Sequence, residues 1–372
     1  MPFPRMDNPH SAQNRVRERL CALTGRAHAV LYGRAGTAIV EVLGIIGAAG
    51  RPVLIPANTC YVVLWAALRA GAIPVLVDID PLTGNITPET LAAATSGMAA
   101  EPPAALIPCH LYGNPAPMRA ICAWARERGA FVIEDAALAV GAVSDGQPAG
   151  SWGDASVFSF GTEKIVDAGG GGALVTDDAG LAAALTERLP AIPYHSPPLR
   201  DLIDGWNELY WALHRYERLT PGVTALYPAF YALYAPTIHY RLKPDAWRAH
   251  LRALDALPNN MAARARIAAL YDAHFAVYRD DRRVRTIHQP PGAVTWKYPV
   301  LVDPAWRDGL LRRVIDQGVT CWYPSLQPML AGLRPDLPVT PTPQADLWGA
   351  SILTLPVTVE PAAAHALIAA LR

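Results

Sequence analysis

Charge is scarce in this chain. Asp, Glu, Lys and Arg together make up 17% of its residues, against 52% that are apolar. A chain so poor in charge has ample material for a buried core, which excludes global disorder. It also lacks a basic excess, since 32 Lys and Arg face 32 Asp and Glu. A generic nucleic-acid binder would show a basic excess or stripe, so nucleic acid is not an expected partner. Paired cysteines are absent too. Cys21, Cys60, Cys109, Cys122 and Cys321 are odd in number and never spaced CxxC, so reduced thiols are expected, with no disulfide framework and no metal site. No uncharged apolar run reaches the length of a membrane span. The Met1–His10 segment has no apolar core of signal-peptide length, and a cytoplasmic enzyme is the expectation. Repeats and low-complexity tails are missing as well.

What is present is an alternation. From about residue 30 to 190, short β-rich runs (Val53–Ile55, Val75–Val77, Ala105–Ile107, Phe131–Ile133, Ser156–Phe160, Ala173–Thr176) alternate with alanine-rich helical stretches. Those helices are expected at Thr37–Ala48, Tyr61–Ala70, Pro88–Ala94, Pro117–Arg128 and Ala179–Arg188. Apolar strands alternating with helices predict an α/β domain, a mainly parallel sheet flanked by helices, over residues 1–192. Its chemistry should gather at the carboxyl ends of the strands. Residues 193–240 are rich in proline and aromatics and read as a helical insertion, with helices near Leu202–Leu219 and Val223–Leu233 broken by Thr220–Gly222. Residues 241–372 mix helices (Asp245–Ala256, Met261–Tyr278, Ala305–Gln317, Ala362–Leu371) with strands (Tyr298–Val302, Ile352–Leu355). They suit a smaller C-terminal α+β domain.

Lys164 stands out by its surroundings. It follows the apolar run Val157–Phe160 and precedes four glycines, Gly169–Gly172, while Phe131–Asp135 upstream ends in two carboxylates. A lone lysine is ordinarily surface solvation. A lysine in a glycine-bounded, charge-poor pocket can lose its proton and become a nucleophile. With a strand-end carboxylate it provides what pyridoxal 5'-phosphate chemistry needs: an amine for the cofactor aldehyde and an acid to keep the pyridine nitrogen protonated. Glu134 and Asp135 must point to opposite sides of their strand. Asp135 is the choice because Ala136 and Ala137 follow it and leave room for a ring. Gly36-Thr37 opens a helix and, with Ser159, can form a phosphate cup, although Thr37 reads equally as a plain N-cap. The glycine run lacks the GxGxxG and Walker spacings, and its expected role is to let the backbone pass close to the lysine. His110 and Tyr112 lie just past a strand end. A histidine hydrogen-bonded within its loop explains them at least as well as a role in the pocket.

Seven segments occur in one order: Arg34-Ala35-Gly36-Thr37, Ile55-Pro56-Ala57-Asn58-Thr59, Val77-Asp78-Ile79-Asp80-Pro81, Pro108-Cys109-His110-Leu111-Tyr112-Gly113, Glu134-Asp135-Ala136-Ala137, Ser159-Phe160 with Lys164 and Gly169–Gly172, and Trp322-Tyr323-Pro324. Together they resemble the DegT/StrS-type nucleotide-sugar aminotransferases, which are fold type I pyridoxal phosphate enzymes. The resemblance runs from about residue 30 to the end and is weakest over 193–240. It implies that Lys164 forms the imine with the cofactor, that Asp135 faces the pyridine nitrogen, and that Ser159, Gly36 and Thr37 hold the phosphate. The implied reaction moves an amino group from an amino acid, usually glutamate, to a nucleotide-linked keto-sugar, in a homodimer.

Three departures from the family pattern affect cofactor tuning and substrate identity. Leu138 stands where Gln or His is usual, Cys60 followed by Tyr61 where a ring-stacking aromatic is usual, and His239 where an Asn usually reaches the partner's phosphate. Dehydration or non-sugar transamination, or a non-catalytic binding role, are the alternatives these departures leave open. The aromatic segment 193–240 is expected to pack on a partner subunit or to roof the site. The sharper possibility is contact with a membrane surface or lipid-linked substrate, assisted by Arg215, Arg218 and Arg241. Glu208, Glu217 and the prolines argue against a spanning helix.

Overall fold

The computed structural model describes residues 9–96, 98, 102–216, 223–277 and 284–371. Short apolar runs form the strands: β1 (His28–Tyr32), β2 (Pro52–Pro56), β3 (Ile73–Val77), β4 (Ala105–Leu106), β5 (Phe131–Asp135), a small hairpin of β6 (Val143–Ser144) and β7 (Gln147–Pro148), β8 (Ala155–Ser159) and β9 (Gly172–Thr176). Apart from the hairpin they make one seven-stranded sheet in the order β1-β9-β8-β5-β4-β2-β3. The ladders from β3 through β8 are parallel, and β9 runs antiparallel to both β8 and β1. Every residue of β8 and β9 is buried, which requires cover on both faces of the sheet. The helices α1 (Pro9–Thr24), α2 (Ala35–Ile45), α3 (Tyr61–Arg69), α4 (Pro88–Thr95), α5 (Met118–Glu127) and α6 (Ala179–Arg188) supply it. Local signals set several boundaries. Thr87 and Thr90 form a reciprocal capping box at the start of α4, and Asp178 caps α6 by accepting the Leu181 N–H. The six expected strands and five expected helices appear, and α1, β1 and the β6–β7 hairpin are additional to them.

Segment 193–240 folds inward. It contains α7 (Pro197–Tyr216), a short 3-10 turn, and α8 (Tyr227–Tyr234). The Thr220–Gly222 break, Glu217 and Arg218 lie outside the described residues. Trp206 and Tyr210 of α7 pack on Tyr61 and Trp65 of α3, with ring centroids 4.5 Å apart for Tyr61–Tyr210 and 4.7 Å for Trp65–Trp206. Tyr231 of α8 closes on Trp65 at 5.3 Å. Trp206, Tyr210, Tyr227 and Tyr240 are all buried. These four rings are taken up by packing within the chain, as a roof over the site requires, while Tyr194, Leu226 and Leu233 of the same segment stay exposed. Among the described residues no helix is long and apolar enough to cross a membrane.

The remainder holds α9 (Trp247–Asp255), α10 (Leu257–Val277) and an antiparallel sheet of β10 (Val284–Thr286), β11 (Tyr298–Val302) and β12 (Ile352–Leu355). Helices at Pro304–Val314 and Pro361–Ala370 accompany it. Ile267 and Tyr271 of α10 join Tyr298, Val300, Leu353 and Leu355 in a second core. Trp247, Leu251 and Leu254 of α9 still belong to the first core. Arg19 of α1 pairs with Asp255 at the end of α9, so the first helix is tied to the later part of the chain.

Candidate active site

Asp135 and Glu134 end β5, and the pleat sends them apart. Glu134 faces a closed polar nest. Its carboxylate accepts from Gly150 N–H (2.8 Å), Trp152 N–H (2.9 Å) and Ser156 Oγ (2.7 Å). The Ala116 N–H donates to His110 Nδ1 at 3.0 Å, which leaves Nε2 to donate to Glu134 Oε1 at 2.7 Å. His110 and Glu134 are fully buried, so this is a structural network and the bland reading of His110 holds. Tyr112 likewise supports from behind, its hydroxyl accepting the Tyr323 N–H.

Asp135 points the other way. Its carboxylate accepts the Ala137 N–H (3.0 Å) and the Cys109 thiol (3.4 Å). Burial raises its pKa above the ordinary carboxylate value, opposed by the Ala137 N–H and by the charge of Lys164. The amine of Lys164 is the reciprocal case. Burial lowers its pKa, with Cys60 and Asp135 pulling upward and Arg34 adding to the lowering. The side chain opens on a cavity that admits water, yet protein surrounds the amine, and lost hydration outweighs the rest.

The loop carrying Lys164 is tightly held. Phe160 O accepts from Ala168 and Gly170, Phe160 N–H donates to Gly171 O, and the Gly171 N–H donates to Gly33 O. Gly171 has φ +97°, and a Cβ there would lie 2.3 Å from His250 Nε2. At Gly172 a Cβ would meet the Ala35 nitrogen and the Arg34 carbonyl carbon, each at 2.3 Å. The glycine run thus lets β9 pass against the start of α2 and against α9. Glu163, next to the lysine, pairs with Lys297 at 3.2 Å, and its carbonyl accepts Trp296 Nε1 at 2.6 Å. The Trp296 ring centroid lies 5.5 Å from Lys164 Nζ.

These elements enclose a cavity of about 390 Å³. Gly33 and Arg34 ahead of α2, Cys60 and Tyr61 at the start of α3, Ser159, and residues 161–164 and 169–171 form one side. Ile203, Asn207 and Tyr210 of α7 roof it, and Tyr240, Trp296, Trp322 and Tyr323 complete the wall. A larger hollow of about 850 Å³ lies by Asp272, Arg285 and His288. Among the described residues it is lined by no lysine.

Of the residues singled out in the sequence, Lys164, Ser159, Cys60 and Tyr61 meet at this cavity, with Asp135 in electrostatic contact behind them. Gly36, Thr37, Leu138 and His239 are not brought to its wall. Thr37 is fully buried, and its hydroxyl donates toward the Ile238 and Tyr240 carbonyls and accepts the Tyr240 N–H. A Cβ on Gly36 would sit 2.5 Å from Val62, in a closed contact. Leu138 is buried beneath the 110–113 loop, its carbonyl near Gly113. His239 Nε2 bonds Glu41 at 2.8 Å, beside Arg188 on the same carboxylate. Sequence reasoning missed Arg34, Asn207, Tyr240 and Trp296 as wall residues. The aromatic density of 193–240 signals only Asn207 and Tyr240, and Arg34 stands in one of the quoted segments without a role assigned to it.

The residues fit pyridoxal phosphate. The Ser159 hydroxyl borders the cavity and has no protein partner among the described residues, a desolvated amine and a buried carboxylate oppose each other, and β9 carries no side chain where it passes α2.

The comparisons with known proteins agree. The DegT/DnrJ/EryC1/StrS aminotransferase family matches residues 9–200, just over half of the chain. The chain belongs to this family, whose aminotransferases depend on pyridoxal phosphate. A pleiotropic regulatory protein of Geobacillus stearothermophilus is 41% identical over 165 residues, 44% of this chain and 43% of that protein. A UDP-N-acetyl-3-dehydro-alpha-D-glucosamine 3-aminotransferase of Acidithiobacillus ferrooxidans is 39% identical over 168 residues, 45% of this chain and 44% of that one. Each alignment thus spans less than half of the curated relative. Among solved structures, DesI in the presence of its TDP-sugar product superposes with a TM-score of 0.72 at 28% identity, covering 97% of this chain and 85% of that one.

Proposed function

We propose that this chain is a pyridoxal-phosphate-dependent aminotransferase that moves an amino group from an amino acid, glutamate being the expected donor, to a keto-sugar carried on a nucleotide. One observation carries the reading: Lys164 lines a cavity at the strand ends, its amine desolvated and under the charge of buried Asp135. When bound, the cofactor supplies an aldehyde and an electron-withdrawing ring. The lowered pKa of Lys164 enlarges its unprotonated fraction, so its nitrogen can attack a carbonyl and afterwards carry a proton between adjacent atoms. Asp135, held by Ala137 and Cys109, would keep a proton on the ring nitrogen. Ser159 would donate to the phosphate. Cys60 and Tyr61 would border the ring, and Trp296 packs near the lysine and helps exclude water.

The substrate class rests on the relatives' names, one a UDP-sugar aminotransferase and one bound to a TDP-sugar product. Borohydride reduction of the cofactor-loaded protein should fix the cofactor to the peptide bearing Lys164, read by mass spectrometry. Nitrogen-15 from labelled glutamate should then appear on a UDP- or TDP-linked keto-sugar. Failure to take up pyridoxal phosphate would sink the proposal in favour of a binding or regulatory role. Uptake with nitrogen passed only to keto acids would leave the cofactor chemistry and remove the sugar.

A further inference from the structure

We propose that Arg34 binds an oxyanion in this cavity, specifically the phosphate monoester of the cofactor, in place of the sealed hydroxyl of Thr37. The inference rests on the cavity being a pyridoxal phosphate site. Arg34 lines the cavity directly before α2 and has no carboxylate partner among the described residues. Nη1 donates to the Thr237 carbonyl and Nη2 to the Tyr61 hydroxyl, both at 3.2 Å, and both acceptors are neutral. A guanidinium has five N–H donors, so most of its capacity is left for something else. The one acid on the cavity wall is Glu163, which is already paired with Lys297. A cation held against protein without a counter-charge is costly unless an anion joins it.

Three features favour a phosphate over a carboxylate. Arg34 is the N-cap residue of α2, an 11-residue helix whose first turn presents partial positive charge. The Ser159 hydroxyl is open on the same cavity. Ser159 also pairs across the sheet with Gly172, whose missing side chain lets β9 pack against the start of α2 and so brings Ser159 near that helix end. The donor expected at this corner, Thr37, is closed off by Ile238 and Tyr240, so a phosphate there needs a donor from elsewhere. A planar guanidinium suits that role, since it can present two parallel N–H groups to one oxyanion.

Cofactor-free protein should be titrated with pyridoxal 5'-phosphate and with pyridoxal, following absorbance. Wild type should strongly prefer the phosphorylated form. Arg34→Gln should weaken pyridoxal phosphate by about 10- to 100-fold, the loss typical of charge-assisted hydrogen bonds, and leave pyridoxal nearly unchanged. An unchanged preference in Arg34→Gln overturns the proposal, as does a raised donor KM with that preference intact, which would put the guanidinium on the donor's carboxylate. A measurement on unmutated protein covers the case in which the variant fails to fold. Modification of Arg34 by a dicarbonyl reagent, mapped by mass spectrometry, should be blocked by inorganic phosphate and by pyridoxal phosphate but not by pyridoxal. Equal labelling with and without phosphate overturns the assignment. If wild type takes up neither pyridoxal compound, the functional reading fails, and calorimetry with inorganic phosphate alone decides for Arg34: binding lost in Arg34→Gln supports the oxyanion site, and equal binding refutes it.

Discussion

Two neighbouring acids on β5 have opposite fates because a strand alternates its side chains. Glu134 receives four donors in a closed nest, whereas Asp135 faces away from it, its pKa raised by burial and held back by the charge of Lys164. The lysine has a measurable signature even without cofactor. Its folded pKa lies below the ordinary 10.5, so below that value the folded protein binds fewer protons than the unfolded chain. Its contribution to stability therefore rises with pH through the window between the folded value and 10.5, and is lost as pH falls through the folded value. Lys164→Met removes the penalty of burying charge. The cofactor-free variant should melt above wild type near neutral pH, and the gap should close towards pH ~10. A gap independent of pH, in melting curves recorded across that range, contradicts the assignment. The alternation that selects Asp135 was legible in the sequence. The sealing of Thr37 was not, because it depends on Ile238 and Tyr240, some 200 residues away along the chain.

The elements show the same division between local and distant information. Strand runs and helix starts carry their own instructions, as the Thr87 capping box and the Asp178 cap illustrate. α7 carries no such instruction about its position. Its aromatics announce burial, but only the fold reveals that Trp206 docks on Tyr61 and Trp65 and so holds Ile203, Asn207 and Tyr210 over the cavity. Trp206→Ala should then cost about 3–5 kcal/mol, the usual range for deleting a large buried aromatic, in urea unfolding of the cofactor-free protein. Because the roof is loosened, bound pyridoxal phosphate should also become more accessible to borohydride, with faster reduction than in wild type. Lost stability with an unchanged reduction rate would mean that α7 packs on α3 without governing access to the lysine.

At the scale of the whole molecule, the family match and the cavity do not cover the same residues. The match ends at residue 200, whereas Ile203, Asn207, Tyr210, Tyr240, Trp296, Trp322 and Tyr323 all line the cavity from beyond it. The sheet and Lys164 therefore do not make a site by themselves. The later chain supplies the roof, the aromatic wall, the Ile238–Tyr240 cover on α2 and the Lys297 partner of Glu163. It also shields the buried pair Tyr61 and Trp65, which would otherwise present a large apolar surface to water. A fragment of residues 1–200 should accordingly bind a hydrophobic dye, unfold without a sharp transition, and yield no borohydride-fixed cofactor at Lys164. A fragment that unfolds cooperatively and takes up pyridoxal phosphate as the full chain does would show that the first 200 residues hold a complete site, with the aromatic wall serving substrate alone.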